Sequence, residues 1–364
     1  MKHSFFARHP YWKRLLQKSI TLVVMWNVVL ILLFGGFVSL AIVAMVGGGD
    51  NASQLSSGYK YVFGNGAKQL LSIRIDGTIV GTEADGGGFL TGSDQTSGYD
   101  VKKKLYTAAE DPSIYGVVLE ISSPGGTIYG AHAIADGVKY YKQKTNQPVY
   151  TYVEGLAASG GYWAAASTDK IFADYGSDVG SIGIIMGPFE YYDKPIAQDG
   201  GLLSGGIVTE NGIQSTYITA GKSKDLGNPY RKMTDDELKV MQQGVNNEYD
   251  NFVSYVSERR DIPGDTIRNQ LGALTYDNKT AQSNKLIDGT ASREGTYDRL
   301  ATAAGIHDDY AVVREESSVS FVKTLLGAIT RQPAKQAAEV DTCSLTRNVL
   351  AYHGDVTALC SKNE

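Results

Sequence analysis

The chain is 364 residues long, 42% hydrophobic and 20% charged, with a formal net charge of −5. That length suits one large or two ordinary domains, and that apolar share suits a globular body with a real core. The acidic balance and the lack of a lysine–arginine run exclude a phosphate-backbone binder, so no nucleic acid is expected as partner. Five histidines and two cysteines leave little material for a metal site, so neither a metal nor a cofactor is expected.

Residues 19–49, SITLVVMWNVVLILLFGGFVSLAIVAMVGGG, carry no charged side chain, and Asn27 is their only strongly polar interruption. About 20 apolar residues span a bilayer as a helix. The run is too long for a secretory signal core of about 7–15 residues, so a retained single-pass anchor is expected over 19–47. Lys2, Arg8, Lys13, Arg14 and Lys18 precede it, and the first charge after it is Asp50. The positive-inside rule then puts residues 1–18 in the cytoplasm and everything beyond the anchor outside it.

Residues 48–68 are rich in Gly, Ser and Asn, the composition of a linker. LLSIRIDGTIV (70–80) predicts a strand with a turn in it, and 84–98 a glycine-rich surface loop. A helix is predicted over 99–112, stopped by Pro112, and a buried strand over 113–123, broken by SPGG. A helix over 129–145, a strand over 147–155 and a helix beginning at Ser159 follow, then short strands at 170–173 and 180–187. Alternating strands and helices imply an α/β fold, a largely parallel sheet covered by helices. Thr234 and Glu237 form a capping box. Leu238, Met241, Val245, Tyr249, Phe252 and Val256 then mark one apolar helix face, which is core or a subunit contact. Clear periodicity ends near residue 315.

Two glycine corners follow strands: SSPGG (122–126) and AASGG (157–161). Such a corner leaves N–H groups free, so one could carry a nucleophile, Ser159, and the other could donate to an oxyanion. A serine needs a base. No histidine lies between Ser159 and His307; His132, His307 and His353 leave a Ser-His-Asp triad poorly supported. A neutral lysine can replace histidine, and Lys170, Lys194, Lys222, Lys224 and Lys232 are the downstream candidates, among which spacing does not choose.

SSPGG, AASGGYWAAASTDKIFA, VGSIGIIMG and GKSKDLGNPYRKMTDDE, in that order, resemble the signal peptide peptidase A family of serine peptidases, as does LTYDNKTAQSNKLIDG at 274–289. The resemblance covers about 70–305. It implies a ClpP/crotonase-like fold in a catalytic domain at 69–310, with a C-terminal extension at 311–364. It further implies a Ser–Lys dyad, in which Ser159 is the nucleophile, Lys224 the general base and Ser181 a serine that helps hold the lysine. Oxyanion donors would be the backbone N–H groups of Gly125 or Gly126 and of Gly160. Lys222, two positions from Lys224, is the alternative base. The stretch from Ser159 to Lys224 exceeds that of compact members, and 197–212 reads as an inserted glycine-rich loop. Short members resemble homo-oligomeric rings in which a neighbour supplies the lysine.

The function implied is a membrane-anchored serine endopeptidase that degrades cleaved signal peptides or other small hydrophobic peptides. The alternatives are a membrane-bound ClpP-like protease with other protein substrates, an acyl-CoA enzyme on the same fold, and an inactive scaffold. Cys343 and Cys360 lie outside the resemblance, and an extracytoplasmic site makes a disulfide between them the expectation.

Overall fold

The computed structural model describes residues 25, 26, 30, 59–81, 95–193, 197–198, 207–208, 210–213, 215–307, 309–315 and 350–353. The anchor expected at 19–47, apart from three residues, lies outside them, as do residues 48–58 of the linker, 84–94 of the loop, most of the 197–212 insertion, and Cys343 with Cys360. Among the described residues no helix is long and apolar enough to cross a membrane. Contacts divide the chain into two compact units, Met1–Ser57 and Gly58–Glu364, and the second is described here.

That unit is built on a mostly parallel sheet with the strand order β1-β12-β2-β4-β5-β6-β11. Its spine is β2 (Lys68–Val80), β4 (Ile114–Thr127), β5 (Val149–Ala158) and β6 (Lys170–Ala173), all parallel. Parallel strands are covered on both faces and therefore read as nearly continuous apolar runs, and β2 and β4 do. Their side chains alternate between two cores. Leu71, Ile73, Val117, Leu119 and Ile121 enter the larger one, whereas Leu70 and Val118 enter the smaller. Helices α1 (Gly98–Ala108), α2 (Ile128–Thr145), α3 (Gly160–Ala166) and α4 (Asp235–Arg260) contribute to the larger core. Helix α7 (Arg293–Ala303) closes the smaller with Tyr297 and Leu300.

Several boundaries differ from expectation, for physical reasons. Residues 59–64, read as linker, form β1 (Tyr59–Gly64), antiparallel to β12 (Tyr310–Glu315). β12 in turn lies parallel beside β2, so the start of the expected C-terminal extension belongs to the sheet. The helix expected over 99–112 ends at Ala108, and Asp111, not Pro112, organises the exit by accepting from the Ser113 N–H and hydroxyl. SPGG does not end β4. The strand runs on through it because β2 lies on one side and β13 (Leu350–Tyr352) on the other, so the backbone keeps partners while Gly125 takes φ +99°.

The strand expected over 180–187 is confined to β7 (Asp178–Gly180) and a single bridge at Ile185. Ser181 takes φ 54° there, which an extended strand does not permit. β3 (Gln95–Ser97) lies on the end of β2, and β7 pairs with β5 and with β10 (Thr275–Tyr276). β8 (Ala197–Gln198) and β9 (Ile207–Val208) form a separate two-stranded ribbon.

After α4 come a short turn α5 (Gly264–Thr266), a π-helical segment (Ile267–Leu271), α6 (Asn278–Ser283) and β11 (Gly289–Thr290), which pairs with β6. The capping box at Thr234 and Glu237 is present as expected. The apolar face it opens divides in two. Phe252 and Val256 are buried, while Leu238 is 51% exposed in this chain.

Candidate functional site

The parallel spine ends with two corners side by side. Ser123, in the first, is paired with Ala157, just before the second. A Cβ on Gly161 would stand 2.9 Å from the Ser123 carbonyl oxygen, so the two turns are packed backbone to backbone. Small residues fill 157–161 because nothing larger fits.

Ser159 is the hinge between β5 and α3. Its φ of 54° and ψ of −116° lie outside the helical and extended regions that L-residues prefer. A serine held on a strained strand-to-helix turn presents its hydroxyl instead of folding it back onto the helix. Consistent with that, the side chain makes no capping bond to α3, although serine is a favoured cap residue. The hydroxyl instead donates to the Gly183 carbonyl at 3.3 Å, and the residue is fully buried. The turn is held by backbone bonds: the Ser159 N–H donates to Gly180 at 2.8 Å, and the Trp163 N–H donates to the Ser159 carbonyl at 2.9 Å.

Ser181 arrives on the same side through β7. Its N–H donates to the Leu274 carbonyl at 2.7 Å, and it is 5% exposed. Thus Ser159, Ser181, Gly160 and the Gly125–Gly126 corner are brought together by three neighbouring strand ends. Gly126 is required: a Cβ there would meet the Ile79 carbonyl oxygen at 2.0 Å. The Gly125 N–H is already engaged with the Ser123 hydroxyl at 3.1 Å, and that hydroxyl donates to the Gly77 carbonyl at 2.6 Å.

The lysines separate cleanly. Lys170 pairs with Asp288 at 3.0 Å, and Lys222 with Asp236 at 2.8 Å. Lys232 lies over the Tyr191 ring. Lys194 lies outside the described residues. Lys224 is exposed and, among the described residues, its ammonium has no partner; within this chain it contacts neither Ser159 nor Ser181.

The turn that carries it is nonetheless well tied. Arg231 forks onto both Asp225 oxygens at 2.8 Å and onto Glu237 at 2.8 and 2.9 Å, joining the lysine's neighbour to the start of α4. The Arg231 guanidinium holds the Asp225 carboxyl down at about 2. Together with the Thr234 N–H it also holds Glu237 well below the usual carboxylate range. Ser223, between the two lysines, takes φ 63°.

One residue of this site was not legible in the sequence. His353 Nδ1 lies 3.0 Å from the Ser181 hydroxyl, although 172 positions separate them. No local pattern could have announced it, because the contact depends on where β13 is paired. His132, by contrast, sits on the helix surface as its position suggests, 3.6 Å from Asp136. Among the described residues no group of acidic, histidine or cysteine side chains is arranged to hold a metal ion.

Comparison with known proteins agrees with this geometry. Residues 141–307 match the family model described as peptidase family S49, and residues 89–173 match the one described as Clp protease. An Enterococcus faecium protein provisionally named signal peptide peptidase SppA is 29% identical over 260 residues, covering 71% of this chain and 71% of that protein. A protease of Methanocaldococcus jannaschii, also provisionally named, is 34% identical over 197 residues, covering 54% of this chain and 58% of its own length. Protease 4 of Haemophilus influenzae is 25% identical over 268 residues, covering 72% of this chain and 40% of that protein. The motif order, the α/β sheet that places those motifs at one edge, and these matches have one common explanation: the chain is a peptidase belonging to family S49.

Proposed function

We propose that the chain is a membrane-anchored serine endopeptidase working through a Ser159–Lys224 dyad on cleaved signal peptides or other small hydrophobic peptides. The observation that carries the chemistry is Ser159 itself, a buried serine in a strained turn that spends no hydrogen bond on capping its own helix. Strain of this kind costs about 1–3 kcal/mol and persists where the surrounding structure over-determines it.

In the proposed reaction a neutral Lys224 takes the Ser159 proton as Oγ attacks the peptide carbonyl carbon. The carbonyl oxygen becomes an oxyanion and accepts from backbone N–H groups at Gly160 and at the SPGG corner. Since the Gly125 N–H is engaged with Ser123, Gly126 is the donor we assign to that corner. The C–N bond breaks, the amine leaves with the proton carried by Lys224, and water then hydrolyses the acyl-enzyme. Ser181 steadies the lysine by a hydrogen bond.

Lys224 is the base we favour because Lys170, Lys222 and Lys232 already have partners. Its lack of contact with Ser159 in one chain favours supply from a neighbouring copy in a homo-oligomeric ring. The charge-free run at 19–49, preceded only by basic residues, supports a single-pass anchor with the catalytic domain outside the cytoplasm.

The test is cleavage of a hydrophobic fluorogenic peptide by the full chain in detergent, across pH 6 to 10. Ser159→Ala and Lys224→Ala are each expected to lower kcat by at least about a hundredfold. Undiminished cleavage by Lys224→Ala would move the base elsewhere, and undiminished cleavage by Ser159→Ala would end the serine reading.

A further inference from the structure

Strand β13 does more than lengthen a sheet. It lies antiparallel on the glycine corner, with Leu350 opposite Thr127, Ala351 opposite Gly126 and Tyr352 opposite Gly125. On its other edge Leu350 exchanges both backbone bonds with Ile185, at 2.9 and 2.8 Å. The segment is therefore clamped between the two backbone runs that flank Ser159, one leaving β4 and the other leaving β7. The His353 N–H donates to the Pro124 carbonyl at 2.7 Å, and its ring engages Ser181.

An extended peptide that adds to a sheet takes its affinity from main-chain bonds and its specificity from the side chains that enter pockets. Leu350 is such a side chain, 1% exposed and apolar. A surface tail has no need of a buried leucine, a doubly paired backbone and a bond to a buried serine of the site. Each of these is what a bound substrate strand would have.

We propose that residues 350–353 are a pseudosubstrate strap: they fill the groove between Gly125–Thr127 and Ile185 in which the peptide to be cut would lie. His353 meanwhile occupies the Ser181 hydroxyl and keeps the general base from it. The reading rests on the proposed function above. It also names what the groove accepts: an extended strand with an apolar residue at the place of Leu350. Because the strap is tethered, it competes at high effective concentration, and a substrate must displace it.

The test uses the full chain and a form ending at Leu345, with the synthetic peptide of residues 347–354, fluorescently labelled, as probe. Binding is read by anisotropy in the Ser159→Ala background, where catalysis plays no part. The probe should bind the shortened form at least about tenfold more tightly than the full-length one. A probe carrying Leu350→Asp should lose that affinity. In active enzyme, removing the strap should raise kcat/KM for the hydrophobic peptide by about tenfold or more.

If the shortened chain does not fold, Leu350→Asp and His353→Ala in the full chain should open the groove to the probe instead. Equal probe binding with and without the strap, or no binding to any opened form, would overturn the proposal. Loss of the serine mechanism would show separately, as cleavage that survives Ser159→Ala while the binding results stand.

Discussion

Ser159 combines two demands that ordinarily conflict. Its backbone adopts a conformation suited to glycine, yet the chemistry requires a side chain there. Ser159→Gly should therefore stabilise the fold by about 1 kcal/mol while abolishing cleavage. Urea unfolding monitored beside the peptide assay checks both, and a loss of stability would show that the turn is not strained in solution. Serine, glycine and alanine at 157–161 could be read from the sequence as a tight corner. That the hydroxyl turns away from its own helix toward Gly183 could not, because it depends on where β7 ends.

At the scale of elements, two attachments position the site. Helix α4 is fixed to α3 by aromatic stacking, with the Trp163 ring 4.5 Å from Phe252 and 5.2 Å from Tyr255. Phe252 is fully buried, so Phe252→Ala should cost about 3–5 kcal/mol. Because Trp163 lies in the helix that starts at Ser159, kcat should fall with it; chemical denaturation and peptide cleavage of the same preparation test this.

The second attachment is ionic. Asp225 has its folded pKa depressed to about 2 by Arg231, so its contribution to holding the Lys224 turn is complete above the unfolded carboxylate value. It is lost as pH falls from about 4 toward 2. Amide exchange in residues 221–232 should accelerate across that window, and Arg231→Ala should show the faster exchange already at neutral pH. Exchange that is unaffected by either change would show that the fork does not hold the turn. The capping box at Thr234 was visible as a local spacing of residue types. Arg231 was not, since its value lies in reaching two carboxylates on different elements.

For the whole molecule, the unresolved partnership is between Ser159 and Lys224, which do not meet within one chain. The exposed start of the α4 stripe, with Leu238 at 51%, leaves apolar surface that a second copy could cover. If the lysine comes from a neighbour, neither Ser159→Ala nor Lys224→Ala should cut peptide alone, yet a co-assembled mixture of the two should. Activity recovered on mixing supports assembly of the site from two copies, and a mixture as inactive as its parts would place both groups in one chain.

What could be read directly from the chain was whatever is written locally. The apolar runs of β2 and β4, the strand–helix alternation, the capping box and the corners at SSPGG and AASGG all follow from neighbouring residues obeying steric and burial rules. The family motifs are stretches of the same kind, and their order carried the identification. What emerged only on folding was everything that depends on distant segments meeting. β1 and β12 complete the sheet from regions that looked like linker and tail. SPGG continues a strand because β13 supplies its second partner, and His353 reaches Ser181 from 172 positions away. Pairing along a sheet edge is made by backbone groups that every residue possesses, so side-chain identity alone does not reveal which strand will take the place.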